Sequence, residues 1–571
     1  MKTYRNWLVM LFTMVVFSNL PGGMTSLFAQ TWIQQGSDID GEAGYDWSGS
    51  SVSMPDSNTL AVGAYGNDGN GAFSGHVRIY RWNGSAWVQK GTDIDGDTAQ
   101  EESGFSVSMP DSNTVAIGAL YHSGGGVSQV GIARVFRWNG SAWVQKGGDL
   151  NGEAAYDWFG RSVSMPDSNT VAVGAVGNDG NGGNSGHVRV YRWNGMAWVQ
   201  KGADIDGEAT GDYSGYSVSM PDSNTVAIGA PYNDGNGGSS GHVRIYRWNG
   251  TAWIQKGADI DGEAGADEFG YSVSMPDTNT VAVGAPKNDG IGFTANAGHV
   301  RIFRWNGTAW VQKGADIDGV GVGDQSGCSV SMPDSNTVAV GARYYGAFDP
   351  GHVRIFHWNG TAWVQKGSDI IGEAAGDISG WSVSMPDANI VAIGAPKNDG
   401  PNGTNAGHVR VYQWGSQNDV GVSAVDSPVS GCGMGAVEPV WITVHNYGAA
   451  LSSGTNVPYS VEVDGGAPCA GTLTIGTGGL ASGADTTFNS GCTGDFSTLG
   501  SHTVKAWTSL AGDVDNTNDT TTQAVDNQPS YSTFPHVEGF EGTSYWTFGG
   551  TNSSWEVGTV SSFDFNEPGE G

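Results

Sequence analysis

The chain is poor in charge, and poorest in positive charge. Charged residues make up 14% of 571, and 25 Lys and Arg stand against 57 Asp and Glu, a net charge of −32. Binding a phosphate backbone needs clustered cations, so this balance argues against nucleic acid and against anionic membrane surfaces. A divalent cation, or solubility alone, is what such acidity favours. Cysteine is scarce, with four residues, so the fold cannot rest on a dense disulfide framework. Long apolar runs are missing as well. The run Trp7–Phe17 is too short to cross a bilayer, and no later stretch approaches the ~18 apolar residues a spanning helix needs.

What is abundant is glycine, 93 residues, together with 22 Trp. Collagen would place Gly at every third position, and a disordered chain would not carry so many Trp. Short strands joined by Gly-rich turns fit both counts. At the N-terminus, Lys2 and Arg5 precede the Trp7–Phe17 run, and Ser26-Leu-Phe-Ala29 follows it. Residues 1–29 are therefore expected to be a secretory signal peptide cleaved after Ala29.

A repeat dominates the next 385 residues or so. Ser-Met-Pro-Asp recurs with Met at 54, 109, 165, 220, 275, 332 and 385. A Trp precedes each Met by 22 residues, at 32, 87, 143, 198, 253, 310 and 363. The His of "GHVRIYRW" falls at 76, 187, 242, 299, 352 and 408, with Ile132 at that place in the second copy. Eleven residues separate this position from the next Trp, so all length variation lies between Met and His. Packed strands with one free loop behave in this way.

Each copy reads as four strands: "YSVSM"; the β-branched "NTVAVGAP"; "GHVRIYRW"; and, after a two-residue Asn-Gly turn, "AWVQKG". Seven four-stranded units predict an all-β chain built on a seven-bladed β-propeller over residues 30–415. The alternative, an open solenoid, needs capping repeats that are not visible. After His408 the seventh copy has Asp419 where Trp is due, so it lacks a fourth strand. Thr31–Gly36, "TWIQQG", is a spare fourth strand at the start of the chain, and placing it in the last blade closes the ring.

With the blades laid out, Phe159-Gly160 and Phe269-Gly270, and Gly229-Ala230-Pro231, Gly284-Ala285-Pro286 and Gly394-Ala395-Pro396, resemble the FG-GAP repeats of integrin α-subunit propellers and their bacterial relatives. The resemblance implies a propeller fold and an extracellular setting. It does not carry over the integrin calcium ligands, because the interval that holds them is here the tight "MPDSNT" turn.

A different segment has calcium-like spacing. The connection between blades places oxygen ligands at relative positions 1, 3, 5 and 9. These are Asp38, Asp40, Glu42 and Asp46, then Asp93, Asp95, Asp97 and Glu101, then Asp149, Asn151, Glu153 and Asp157. The set recurs as Asp204, Asp206, Glu208 and Asp212, and as Asp259, Asp261, Glu263 and Asp267. Val320 and Ile371 interrupt the last two copies. Alternate oxygens in a short Gly-containing loop suit calcium, and a row of solvated acidic turns is the competing reading. The "NDG" segments at Asn67, Asn178, Asn233, Asn288 and Asn398 read as turns. Repeated His and Arg, such as His242 and Arg244, read as strand-face packing.

From about Gly415 the repeat stops. Residues 416–527 read as a β-sandwich resembling the CARDB-type immunoglobulin-like modules of secreted proteins. Cys469 and Cys492 are the expected disulfide pair there. Residues 528–571 resemble the opening of a MAM-type jelly-roll module and are too few to complete one. No nucleophile, base and orienting residue stand apart in the array, so an enzyme is not expected. The composite implies a secreted or cell-surface adhesion protein that binds an extracellular protein or glycan through its propeller loops, with an inert extracellular scaffold, or after it a carbohydrate-active propeller enzyme, as the alternatives.

Overall fold

The computed structural model describes residues 31–529, apart from 85, 125, 291–294, 347, 416–417, 449, 482, 511–512 and 514–516. The expected signal segment at 1–29 and all but the first two residues of the MAM-like segment lie outside the described residues. Among the described residues every regular element is a strand, and the repeats form sheets of propeller-blade type.

One copy illustrates them all. Ser217–Asp222, Thr225–Ala230, His242–Trp248 and Trp253–Gln255 pair antiparallel in that order, and the short Ile260–Asp261 returns onto the third strand. Thr225–Ala230 is buried at all six positions, because neighbouring sheets cover both its faces. Such a strand must be apolar or β-branched throughout rather than alternating. Met220-Pro221 lies in a register shift between the pairs Ser219–Ala227 and Asp222–Thr225, where proline removes no ladder bond.

The hairpin tip differs in detail from the sequence expectation. Asn249 is the first residue of the turn rather than a central one. Its backbone N–H donates to Ala252 O at 3.1 Å, and its side-chain oxygen accepts the N–H groups of Thr251 and Ala252 at 2.9 Å. Gly250, with φ 105°, is the first central residue, which matches a type II′ turn.

Identical contacts join each sheet to the next. Ser217 Oγ donates to Gly270 O of the following sheet at 2.8 Å, and a Cβ added to Gly229 would stand 2.0 Å from that same oxygen. Gly270 itself has φ 92°. The glycines of the two motifs thus meet across each sheet boundary, one giving room and the other turning its carbonyl inward. The pattern returns to its start. Ser382 Oγ donates to Gly49 O at 2.8 Å, and Ser384 Oγ accepts the Met54 N–H at 2.9 Å.

Thr31–Gln34 completes the last sheet, pairing antiparallel with His408–Gly415 so that Trp32 faces Trp414. A lysine after six of the seven fourth strands binds the neighbouring sheet. Lys201 Nζ lies 5.2 and 5.0 Å from the Trp248 and Trp253 ring centres, and the Lys201 backbone carbonyl accepts the Trp253 indole N–H at 2.7 Å. Lys366 holds Trp32 and Trp414 in the same manner.

Beyond residue 417, Val420–Ser427, Glu438–Asn446 and Asp485–Gly494 form one sheet, and five further strands form another. Both line a single core that includes Val440, Ile442, Val457, Phe496, Val504 and Val525. Cys469 and Cys492 are bonded to each other.

Candidate functional site

The four acidic positions of each connector have separate surroundings. Position 9 turns inward. Asp212 is 3% exposed, and its Oδ2 accepts the N–H groups of Glu208 and Ala209 and the Asn233 side chain at 3.1, 2.9 and 3.1 Å. Asp46, Asp157 and Asp267 engage Asn67, Asn178 and Asn288 in the same way. The Asn of each of these "NDG" segments therefore locks the connector beside it. At position 1, Asp38, Asp93, Asp149, Asp204 and Asp259 each accept from the Gln four residues earlier.

Position 5 of one connector and position 1 of the next converge on a histidine of the strand between them. The groups so gathered are Glu42–His76–Asp93, Glu153–His187–Asp204, Glu208–His242–Asp259, Glu263–His299–Asp316 and Glu373–His408–Asp38. At position 3, Asp95 Oδ1 lies 4.0 Å from His76 Nδ1, and the Asp40, Asp206 and Asp261 carbonyls accept Arg78, Arg244 and Arg301. Asn151 donates to Asp149 O at 3.3 Å. The second copy, with Ile132 for His, is rearranged: Arg134 meets Asp97, Glu101 and Asp149 at 2.7, 2.5 and 3.3 Å. Burial, reinforced by the adjacent arginine, lowers His76, His242, His299 and His408 to about 4. These imidazoles are neutral at pH 7, each with a free lone pair. Burial also pushes Glu42, Glu208, Glu263 and Glu373 above the usual carboxylate range.

A second feature lies where the first strands of all seven copies meet. A cavity of about 260 Å³ is lined by the repeated Ser and Val of "SVSM", by the residue just before them, and by Tyr65 and Arg343. That preceding residue is Ser50, Phe105, Arg161, Tyr216, Tyr271, Cys328 or Trp381. It differs in all but two of the copies, in an array where nearly everything else repeats. The sequence reading passed over it, although variation inside an otherwise fixed motif was a visible signal.

The two arginines here are held by rings. The Arg161 guanidinium lies 4.9 Å from Phe105 and 3.9 Å from Tyr216. Arg343 lies 4.7 Å from Trp381 and donates to Gln325 Oε1 at 2.9 and 2.6 Å and to Tyr271 Oη at 3.1 Å. The lining contains no carboxylate and no histidine. Stacking occupies the faces of the Arg161 guanidinium and leaves its N–H edges for a planar anion.

Comparison with known proteins bears on the repeats. The family "FG-GAP repeat" matches residues 151–191 and 203–246, which is two adjacent copies. No curated protein matches the chain. Among solved structures, one that is similar is a candidate 6-phosphogluconolactonase from Bacteroides uniformis ATCC 8492, at 10% identity and a TM-score of 0.39. It covers 57% of this chain and 85% of its own, and likeness at that level carries no inference about activity. The matched copies support a β-propeller repeat family of the FG-GAP type, the kind of repeat typical of extracellular proteins.

Proposed function

We propose that the chain is a secreted or surface-held recognition protein whose seven-bladed, closed propeller offers the mouth of its central channel to an extracellular ligand. The observation that carries this reading is the ring of unlike residues, Ser50 to Trp381, on an otherwise repeated scaffold. A scaffold that only needed to close would gain nothing from placing aromatic and cationic groups there. The lining offers neither a general base nor a nucleophile–base pair, so the reading is binding rather than turnover. Aromatic rings beside an arginine with free N–H edges suit a ligand with flat apolar faces and a carboxylate, as in an acidic sugar. The 416–527 unit acts in this reading as a CARDB or immunoglobulin-like spacer. Calcium dependence, expected from the oxygen-rich connectors, enters as stabilisation of the rim.

Binding of oligogalacturonate and of its methyl ester to the secreted chain, measured by calorimetry, tests the reading. Saturable binding of the acid, weakened at least tenfold by esterification and by Arg161→Ala, is the expected result. Release of a smaller sugar would make the protein an enzyme. No binding across an acidic-glycan and matrix-protein array would leave the scaffold reading.

A further inference from the structure

Three buried histidines at the starts of the third strands are unusual in having nothing to bond to. His76, His242 and His408 are each 1% exposed, and neither ring nitrogen of any of them has a hydrogen-bond partner. A buried polar atom left so costs about 1–3 kcal/mol, and here the arrangement is repeated around the ring. The Nδ1 atoms nevertheless face carboxylates. His76 Nδ1 lies 3.6 Å from Asp93, 3.9 Å from Glu42 and 4.0 Å from Asp95. His242 Nδ1 lies 3.7 Å from Glu208, and His299 Nδ1 lies 3.7 Å from Asp316. His408 Nδ1 lies 3.6 Å from Asp38 and 4.0 Å from Glu373.

These separations are too long for hydrogen bonds. They are those of atoms facing a common centre, since two ligands each ~2.0–2.2 Å from one ion stand roughly 3–4 Å apart. At the first site three carboxylates, Glu42, Asp93 and Asp95, oppose one guanidinium, Arg78, leaving a local charge of about two negative units that one divalent cation would neutralise. Around Glu263, His299, Asp316 and Asp318 there is an open cavity of about 290 Å³.

The array contains its own control. Where Ile132 replaces the histidine, Arg134 moves onto the carboxylates and fills the gap. Where histidine is present, Arg78, Arg244, Arg301 and Arg410 stay 3.4–3.5 Å from the glutamate and each donates its second terminal nitrogen to a backbone carbonyl. Two copies differ: Arg189 already bonds both Glu153 and Asp204, and the copy with His352 has Val320 in the glutamate's place, although the nitrogens of His187 and His352 also lack partners.

We infer that four sites, Glu42–His76–Asp93, Glu208–His242–Asp259, Glu263–His299–Asp316 and Glu373–His408–Asp38, each bind a divalent transition-type cation such as Zn²⁺ or Mn²⁺ through one imidazole nitrogen and carboxylate oxygens. A nitrogen ligand selects these ions over calcium, which takes oxygen. Each ion ties a connector to the one after it. The site at Asp38 does more. It joins the N-terminal segment to a strand 370 residues later, so its ion pins the ring shut. The inference stands on the connectors alone and is independent of what the channel mouth binds.

Calorimetry and thermal melting of the chelator-treated full chain with Zn²⁺, Mn²⁺, Co²⁺, Ca²⁺ or Mg²⁺ test it. The expected result is about four Zn²⁺ or Mn²⁺ per chain, a rise in melting temperature on binding, and Co²⁺ absorption bands of a mixed nitrogen and oxygen site. His242→Ile, which copies the natural residue at 132, should fold normally and lower the count by one. His408→Ile should also lower it by one and remove the largest share of the thermal shift. Absence of heat and shift with Zn²⁺, Mn²⁺ and Co²⁺, or a metal count that survives both histidine variants, overturns the assignment. Calcium binding with no uptake of Zn²⁺, Mn²⁺ or Co²⁺ would overturn it too, placing the cation among oxygens alone.

Discussion

The indole N–H of Trp32 donates to the carbonyl oxygen of Lys366 at 2.8 Å, across 334 positions of the chain. Trp32 also pairs with Trp414 at 5.2 Å between ring centres and is 8% exposed. One residue near the start of the repeats thus holds both the strand beside it and the sheet next door. Trp32→Ala should cost about 3–5 kcal/mol and lower the propeller's melting temperature by calorimetry. Deleting residues 31–35 should lower it further. An unchanged transition in the deletion would mean the ring does not need its N-terminal strand.

Gly394 faces the opposite problem, having no room to spare. An added Cβ would meet Gly49 O of the first sheet at 2.0 Å. Gly394→Ala should destabilise by about 1–3 kcal/mol through overpacking. Gly360→Ala, whose added Cβ would meet nothing within 4 Å although φ there is 102°, should cost about 1–3 kcal/mol by backbone strain alone. Urea melts of the two variants measure both costs.

Glu102 gives a pH dependence whose sign is fixed. Burial raises its carboxyl from 4.5 to about 7. Below pH 4.5 it is protonated both folded and unfolded and costs nothing. Between pH 4.5 and 7 the unfolded chain loses the proton that the folded chain keeps, so this group's contribution to stability falls as pH rises, and the cost then persists. Glu102→Gln should flatten that part of the stability profile. A profile identical to that of the parent chain would refute the assignment.

Reduction of Cys469–Cys492, 23 residues apart, should remove about 3 kcal/mol from the unit beyond residue 417 by freeing its unfolded chain. The propeller transition should not move. Calorimetry with and without reductant distinguishes the two.

The repeat spacing made the sheets legible because each marker residue has one packing role. Met220 is held by a serine of the preceding sheet, Trp253 by the carbonyl of the preceding copy's lysine, and Thr225–Ala230 is buried on both faces. The acidic connectors were legible in composition and misleading in grouping. Their spacing suggests that Asp38, Asp40, Glu42 and Asp46 act together. Backbone N–H groups take Asp46 instead, and the partners of Glu42 come from the strand at His76 and the connector at Asp93. Proximity created by a strand that goes out and returns cannot be read from local offsets. The aromatic and cationic ring around the channel was hidden by the regularity around it, since attention to what repeats passes over a position that does not.

The lysine clamp has one gap. Six boundaries carry an ammonium over a tryptophan pair, from Lys90 to Lys366. At the seventh, between the last sheet and the first, Gln35 stands in the lysine's place and offers Trp87 only its carbonyl, at 2.9 Å. That boundary lies beside the strand contributed from the far end of the chain. Under load or heat the circle should part first along this line, between Gln35 and Trp87.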